Sequence, residues 1–199
     1  MLTLHRAAVL TPAATAPPDD SVADGAVLVR GDRIAALGPY AELAAAHPEA
    51  RLREWSGARL TPGEAHPYGA LLLEGYYHPD PREGLGVTPR PLPVGGVPAG
   101  QYGGLGGSAR RGLQLLLRHG AVALAGPFEK PEVRAAVSRS GLRVLAPFEP
   151  AQAVPMPGFD GVPQGALTVG ERADFAIFQR ETGECLGTVL AGRLVYRGR

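Results

Sequence analysis

Several residue types are scarce in this sequence, and each scarcity excludes a class of protein. The 199 residues include one cysteine, Cys185, so no internal disulfide can form and a reducing compartment is expected. The 20 basic residues are balanced by 19 acidic ones, and no basic run exceeds Arg110-Arg111, which excludes the positive field of a nucleic-acid-binding protein. No apolar run approaches the roughly 20 residues that cross a bilayer. We therefore predict a cytoplasmic protein with no nucleic-acid or membrane partner.

Glycine and proline, by contrast, are abundant, with 28 and 20 residues. Most of this excess lies between Pro79 and Gly107, where we expect loops. Hydrophobic residues make up 45% of the chain, which is enough to bury a core. The composition therefore predicts a globular protein with a loop-rich middle.

Short strand patterns occupy both ends of the chain. Two apolar runs flank Gly31-Asp32, a pair typical of a hairpin turn, and Pro39 then fits the first turn of a helix. Strands are predicted at residues 2–10, 25–30, 33–37, 51–55, 173–178, 187–191 and 194–197. Neither group of strands can bury both of its faces alone, so we expect the two ends to pair in one β-sandwich.

The middle of the chain alternates between helix and strand patterns. Ser108 is a suitable N-cap for the first of two helices. Helices are predicted at residues 109–118 and 131–139, and strands at residues 121–125 and 142–146. The apolar run 70–73, which follows Pro62-Gly63, is expected to be an earlier strand. This spacing is typical of parallel βα units.

Motifs at the two ends resemble those of a known superfamily. They are GAVLVRGDRIAALGP from residue 25, LTPG from residue 60, GALTVGERADFAIF from residue 165 and GTVLAGRLVYRGR from residue 187. Together they resemble the amidohydrolase superfamily, of the imidazolonepropionase-like or cytosine-deaminase-like kind. The resemblance implies a small β-sandwich beside a metal-bearing TIM barrel. We predict an α+β fold with a sandwich formed by residues 1–63 plus 163–199, a remnant α/β unit (a partial barrel) at 64–150 and a linker at 151–162.

Too little chain lies between these ends for a complete barrel. About 100 residues separate Gly63 from Gly165, whereas a TIM barrel needs about 250. The family's first strand reads Pro-Gly, two apolar residues, Asp or Asn, and then His-x-His. Without gaps, Tyr68 and Ala70 replace the two histidines; with a two-residue deletion, His66 is the first histidine and Tyr68 replaces the second. Both alignments leave the metal site incomplete, so we expect neither a metal nor another cofactor.

The stretch 60–86 concentrates the residues that could carry chemistry. The catalytic candidates are Glu74, His78, Asp80 and Glu83. The ligand-binding candidates are Glu64, His66, Tyr68, Tyr76, Tyr77 and Arg82. Two other interpretations stay open: the charges around His78 belong to a solvated loop, or the two histidines form a new metal site with Glu64 and Glu74.

The predicted function follows from the missing metal ligands. We expect a degenerate amidohydrolase-like protein that binds a small molecule or a protein partner through residues 64–83. The alternative is a residual hydrolase acting on a C–N bond of a cyclic amide or amine, or a metal-free acid–base enzyme using His78. The glycine-rich stretch 103–108, which precedes a helix, could bind an anion through free backbone amides. It contains no lysine, however, so a plain loop is the alternative.

Some residues are expected to be structural. His119 is predicted to cap a helix C-terminus, Cys185 to be structural, and His5 and His47 to lie on the surface. An incomplete barrel would also leave an apolar helix stripe without neighbours, formed by Leu113, Leu116 and Leu117. Exposed stripes favour association, so we predict a homodimer or an unidentified protein partner.

Overall fold

The structure is a computed structural model that describes residues 1–15, 17–97, 102–150 and 153–198. The chain divides into two compact units, the first unit (Met1–Glu64 with Pro163–Arg199) and the second unit (Ala65–Val162). The predicted limits of the sandwich, the α/β unit and the linker stay a prediction, because compactness alone does not establish that either unit folds independently.

Strands dominate the secondary structure. In chain order they are β1 (Leu2–Leu10), β2 (Val22–Arg30), β3 (Arg33–Pro39), β4 (Arg51–Thr61), β5 (Glu64–His66), β6 (Tyr76–Tyr77), β7 (Arg90–Pro91), β8 (Ala121–Ala125), β9 (Arg143–Leu145), β10 (Val162–Pro163), β11 (Phe175–Gln179), β12 (Cys185–Leu190) and β13 (Arg193–Arg197). The helices are α1 (Tyr40–Ala46), α2 (Gly69–Glu74), α3 (Gly104–Arg118) and α4 (Pro131–Ser140), with 3-10 turns at Pro18–Asp20 and Pro81–Glu83. Within the described part of the chain, no helix is long and apolar enough to cross a membrane.

The first unit is built on one seven-stranded sheet, in the order β13–β12–β11–β4–β1–β2–β3. Neighbouring strands are antiparallel except β1 and β4, which are parallel. The two ends of the chain join where β11 pairs with β4 and Ile177 lies opposite Leu60. The predicted α+β class, with the N- and C-terminal strands brought together in one sheet, is confirmed.

This sheet curls around a large apolar core. Its two halves meet where the Ile34 N–H donates to the Glu171 carbonyl at 3.0 Å and the Ala173 N–H donates to the Asp32 carbonyl at 2.8 Å. The core enclosed in this way contains Phe175, which is fully buried. The predicted sandwich is therefore one continuous sheet folded over its own core.

His5 lies in this core, so its predicted surface position is wrong. The strand β1 is central in the sheet: α1 covers the face that carries Leu4, and His5 points to the opposite face. There Trp55 Nε1–H donates to His5 Nδ1 at 3.4 Å, and the Phe175 ring lies edge-on at 5.0 Å. Burial lowers the pKa of His5 to about 3. Because a strand buried on both faces need not alternate polar and apolar residues, the sequence pattern did not reveal this position.

The second unit places helices against a short sheet of order β10–β5–β8–β9, in which β8 and β9 are parallel. The helices α3 and α4 pack together, and the strand β8 is buried along its whole length. The alternation of helix and strand predicted for this part of the chain is confirmed.

The apolar run 70–73 is helical, so the strand predicted there is wrong. Leu72 and Leu73 are buried while Leu71 is about half exposed, which is the one-sided burial of a helix. Gly69 starts this helix directly against Ala125, and a side chain at position 69 would collide with that residue's carbonyl. Short apolar runs do not distinguish helix from strand by periodicity, which explains the error.

The glycine-rich stretch 103–108 belongs to the start of α3. The helix begins at Gly104 with Gly103 as its N-cap, so Ser108 lies inside the helix and its predicted capping role is wrong. The predicted apolar stripe of α3 is buried within the second unit, at Leu113, Leu116 and Leu117. The homodimer stays a prediction, but the exposed stripe that motivated it is absent from these described residues.

Candidate functional site

His78 is the most deeply fixed of the predicted site residues. Its backbone N–H donates to Ser108 Oγ at 2.9 Å, and its ring Nε2 lies 2.9 Å from the Leu72 carbonyl, which identifies Nε2 as the protonated nitrogen. The residue is 1% exposed, and burial lowers its pKa. Gly112 packs against the ring so closely that a side chain there would collide with it. His78 is therefore a neutral ring enclosed by the α2 and α3 helices.

The acids that follow His78 close a 3-10 turn at Pro81–Glu83. Asp80 Oδ1 accepts the Arg82 N–H at 3.0 Å, and Glu83 Oε1 accepts the Asp80 N–H at 2.8 Å, which is a capping box. The Tyr77 hydroxyl donates to the same Glu83 oxygen at 2.5 Å. Burial and this bond raise the pKa of Tyr77 to about 12. The charges in this stretch are therefore part of a built turn, unlike those of a solvated loop.

Two arginines hold the carboxylate of Asp80. Arg82 donates from Nε to Oδ1 at 2.8 Å and from Nη2 to Oδ2 at 2.9 Å, and Arg111 Nη1 lies 3.6 Å from Oδ2. The hydrogen bonds from Arg82 hold the pKa of Asp80 well below its usual range. Arg111 also donates from Nε to the His78 carbonyl at 2.8 Å and from Nη1 to the Tyr102 carbonyl at 3.0 Å. Arg111 thus joins α3 to the two loops that precede it.

These residues line a surface pocket, which we call the arginine pocket. Its lining is Asp80, Arg82, Tyr102, Gly103, Gly107, Arg110, Arg111 and Gln114. Arg110 is exposed, and its guanidinium folds back over the N-terminal glycines of α3. Its Nη2 lies 3.0 Å from the position that a side-chain Cβ would occupy at Gly103. Within the described residues it makes no hydrogen bond or ion pair. Three guanidinium groups and one carboxylate leave the pocket a net formal charge of +2.

The other predicted site residues lie elsewhere. His66 is fully buried with Nε2 3.1 Å from the Gly158 carbonyl, and burial lowers its pKa. Tyr68 packs edge-on near that ring, Glu74 accepts the Lys130 N–H at 2.7 Å, and Tyr76 pairs with Pro91 between β6 and β7. Glu64 belongs to the first unit, where it lines a separate pocket. The structure therefore brings together Tyr77, His78, Asp80, Arg82 and Glu83, and their roles stay predictions.

Two of the residues that organise this site were not among the sequence candidates. Ser108 and Arg111 contact the His78 backbone from α3, through its N–H and its carbonyl respectively. The two positions are three residues apart, so they share one face of a helix. That spacing is visible in the sequence, but the loop that both residues contact lies about 30 residues earlier, so their pairing with His78 depends on the folded structure.

The metal that the resemblance implies does not fit the residues present. Among the residues that the structure describes, no group of three or more His, Cys, Asp or Glu side chains lies close enough together to hold a metal ion. The Nε2 atoms of His66 and His78 face the carbonyls of Gly158 and Leu72. The described donor set therefore provides no hydrolytic step through a metal.

Comparison with known proteins places a family match in the first unit. Residues 25–50 match the model of the imidazolonepropionase-like composite domain of bacteria. No curated protein matches the chain. The match covers the hairpin β2–β3 and the helix α1.

Several solved structures align with part of this chain, and each is much longer than it. Guanine deaminase from Bradyrhizobium japonicum is 17% identical with a TM-score of 0.49, and the alignment covers 73% of this chain and 34% of that one. Ochratoxinase from A. niger is 18% identical with a TM-score of 0.47, covering 73% and 31%. An amidohydrolase from an environmental sample of the Sargasso Sea is 22% identical with a TM-score of 0.44, covering 73% and 33%. The chain spans about a third of the length of these proteins. The family match confirms the predicted resemblance to an imidazolonepropionase-like composite domain over residues 25–50.

Proposed function

We propose that this chain is an amidohydrolase-like protein that no longer hydrolyses through a metal and that binds a small anionic molecule in the arginine pocket. The observation that carries the proposal is the charge of the pocket, where three arginines face one aspartate. An excess of fixed positive charge in a concave surface raises the local concentration of anions.

The hydrogen-bond donors that remain in the pocket support this proposal. Arg82 uses Nε and Nη2 on Asp80 and keeps most of its side chain exposed. Arg110 has its whole guanidinium fork without a partner among the described residues, and it lines the same pocket. Guanidinium forks match the geometry of carboxylate and phosphate groups, so both side chains suit an anionic ligand.

The acid–base alternative has less support. A general base needs to come within hydrogen-bond reach of a substrate, but the His78 ring is 1% exposed and its Nε2 faces the Leu72 carbonyl. Glu83 and Asp80 are engaged in the capping box, and within the described residues neither contacts that ring. These contacts favour binding over catalysis.

Calorimetric titration with acetate and with inorganic phosphate at low ionic strength tests the proposal. We expect saturable binding that weakens as salt is added, since the attraction is electrostatic. Arg110→Ala should lower the affinity for both anions by about tenfold, the loss of one charge-assisted hydrogen bond.

Arg118→Ala is the matched control, because it removes the same charge from the exposed end of the same helix without touching the pocket. Equal losses in the two variants, or no binding of either anion by the unaltered protein, would contradict the proposal. We also expect the purified protein to contain sub-stoichiometric zinc, iron and manganese. Stoichiometric metal retained through gel filtration would contradict the proposal that this chain does not hydrolyse through a metal.

A further inference from the structure

Resting on the proposed function, we infer that the ligand of the arginine pocket is a phosphate monoester, whose tetrahedral dianion is held jointly by Arg82 and Arg110. Two features of the pocket lead to this ligand class. One is the number of charges that the protein leaves uncompensated, and the other is that the remaining donors belong to two different elements.

The charge of the pocket matches a dianion. Asp80 is the one acid among the lining residues, and its carboxylate balances one of the three arginines. A monoanion such as a simple carboxylate would leave one guanidinium charge unbalanced, whereas a phosphate monoester carries nearly two negative charges at neutral pH.

The remaining donors belong to two different elements. Arg111 is engaged through Nε and Nη1 with the carbonyls of His78 and Tyr102, and its Nη2 is buried away from the pocket opening, so it serves to position the pocket. Arg82 extends from the 3-10 turn and has Nη1 left after binding Asp80, while Arg110 extends from α3 with its fork unengaged by described residues. A planar carboxylate is satisfied by the Arg110 fork alone. A phosphate has a third oxygen, and Arg82 Nη1 is a second donor without a described partner in the lining of the same pocket.

Glycines allow the backbone and the arginines to pack closely at this pocket. Gly103 and Gly107 line the pocket beside the arginines. A side chain at Gly107 would collide with the Tyr102 carbonyl, and one at Gly103 would press on the Arg110 guanidinium. The absence of a side chain at Gly103 therefore allows Arg110 to fold over the start of α3, next to the space where the anion would sit.

Titrations with three probes separate the ligand classes: methyl phosphate, succinate and acetate. Succinate carries two charges on planar groups and controls for charge alone. At about pH 7.5, where the phosphate is dianionic, we expect methyl phosphate to bind at least about tenfold more tightly than either carboxylate. Lowering the pH to about 5 should weaken methyl phosphate by about tenfold, because the ester then carries a single charge. The arginines and Asp80 that face the ligand keep their charges over this interval, since the pKa of Asp80 is already depressed.

Variants assign the two donors. Arg82→Ala should lower the affinity for methyl phosphate by about tenfold and that for acetate by less than about threefold, since only the phosphate needs the second donor. Arg82→Lys should restore part of the phosphate affinity, because the lysine amine keeps the charge. Circular dichroism verifies that each variant keeps its secondary structure. Hydrogen exchange of the His78 amide, which donates to Ser108 Oγ, verifies that the loop before the turn Pro81–Glu83 stays in place.

Equal binding of methyl phosphate and succinate, or an Arg82→Ala loss that is the same for phosphate and acetate, overturns the phosphate inference while the proposed anion binding stands. Failure of all three probes to bind overturns both.

Discussion

The two units satisfy their backbone polar groups in different ways. In the first unit, seven strands pair with one another, and backbone hydrogen bonds close even the junction between the sheet's two halves. In the second unit, side chains satisfy the backbone groups of particular loop residues. The Ser108 hydroxyl accepts from the His78 N–H, Arg111 donates to the His78 carbonyl, and Glu74 accepts from the Lys130 N–H. Backbone hydrogen bonds between strands hold whole strands in position, whereas side-chain hydrogen bonds hold individual loops in position. Loops held in this manner can present charged groups at defined positions, which is what a binding site needs.

The largest effect should come from opening the core of the first unit. Phe175→Ala should lower the free energy of unfolding by about 3–5 kcal/mol, because it leaves a cavity in the curled sheet. Trp55 is the single tryptophan of the chain and lies in this unit, so its fluorescence during urea denaturation follows the first unit specifically. Val195→Ala, on an exposed position of β13, should change the value by less than about 0.5 kcal/mol. A decrease in the free energy of unfolding below about 1 kcal/mol for Phe175→Ala would contradict the burial of Phe175 in the core that the sheet encloses.

Acid should weaken the first unit through His5. The pKa of His5 is lowered to about 3 in the fold, from its ordinary value of 6.5, so the unfolded chain binds more protons between these values. Stability is therefore complete above about pH 6.5 and falls as the pH decreases toward 3, with a loss of about 2 kcal/mol between about pH 7 and 5. Urea denaturation followed by Trp55 fluorescence at each pH measures it. His5→Asn should flatten the profile; identical profiles in both proteins would show that His5 is not the group responsible.

Removing one side-chain contact should weaken the second unit more modestly. Ser108→Ala leaves the buried N–H of His78 without an acceptor and should cost about 1–3 kcal/mol. Hydrogen exchange of the His78 amide measures the change locally. Ser138→Ala removes a hydroxyl from an exposed position of α4 and serves as the control, with little change expected. Unchanged protection at His78 in Ser108→Ala would refute the contrast between the two units.

The smallest predicted effect concerns the Tyr77 hydroxyl. Tyr77→Phe removes the hydrogen bond to Glu83 and should cost about 0.5–1.5 kcal/mol in thermal or urea unfolding followed by far-ultraviolet circular dichroism. Tyr76→Phe, at the half-buried neighbouring position, is the matched control with an expected change below about 0.5 kcal/mol. Equal costs for the two variants would mean that the Glu83 contact adds nothing to the turn.

The same contrast explains what the sequence could predict. The hairpin at Gly31-Asp32 and the strands of the first unit follow from local alternation and turn chemistry, which are properties of neighbouring residues. The helix at 69–74 was missed because four apolar residues fit either period, and His5 was missed because both faces of β1 are covered only after the chain folds. Pattern alone could not show that Ser108 and Arg111 would bind a loop about 30 residues earlier, since such pairs arise from tertiary contact.

Within the candidate site, the sequence indicated a functional segment but not the pocket. Residues 64–83 were predicted as functional, which stays a prediction, and the structure gathers Tyr77, His78, Asp80, Arg82 and Glu83 at the turn Pro81–Glu83. The positive charge beside that turn comes from Arg110 and Arg111 on α3, which the sequence analysis considered only as a short basic run. Their importance depends on α3 starting at Gly104, because the first turns of that helix face Asp80 and Arg82 across the pocket.

The most direct test of this account is a titration of isotope-labelled protein with inorganic phosphate, followed by the shifts of the assigned backbone amides. The account predicts saturable shifts centred on residues 80–82 and 103–114, which line the arginine pocket, and none at His66 or in the first-unit pocket around Glu64. Shifts centred on residues 64–68, with residues 80–82 and 103–114 unaffected, would contradict the arginine pocket as the ligand site.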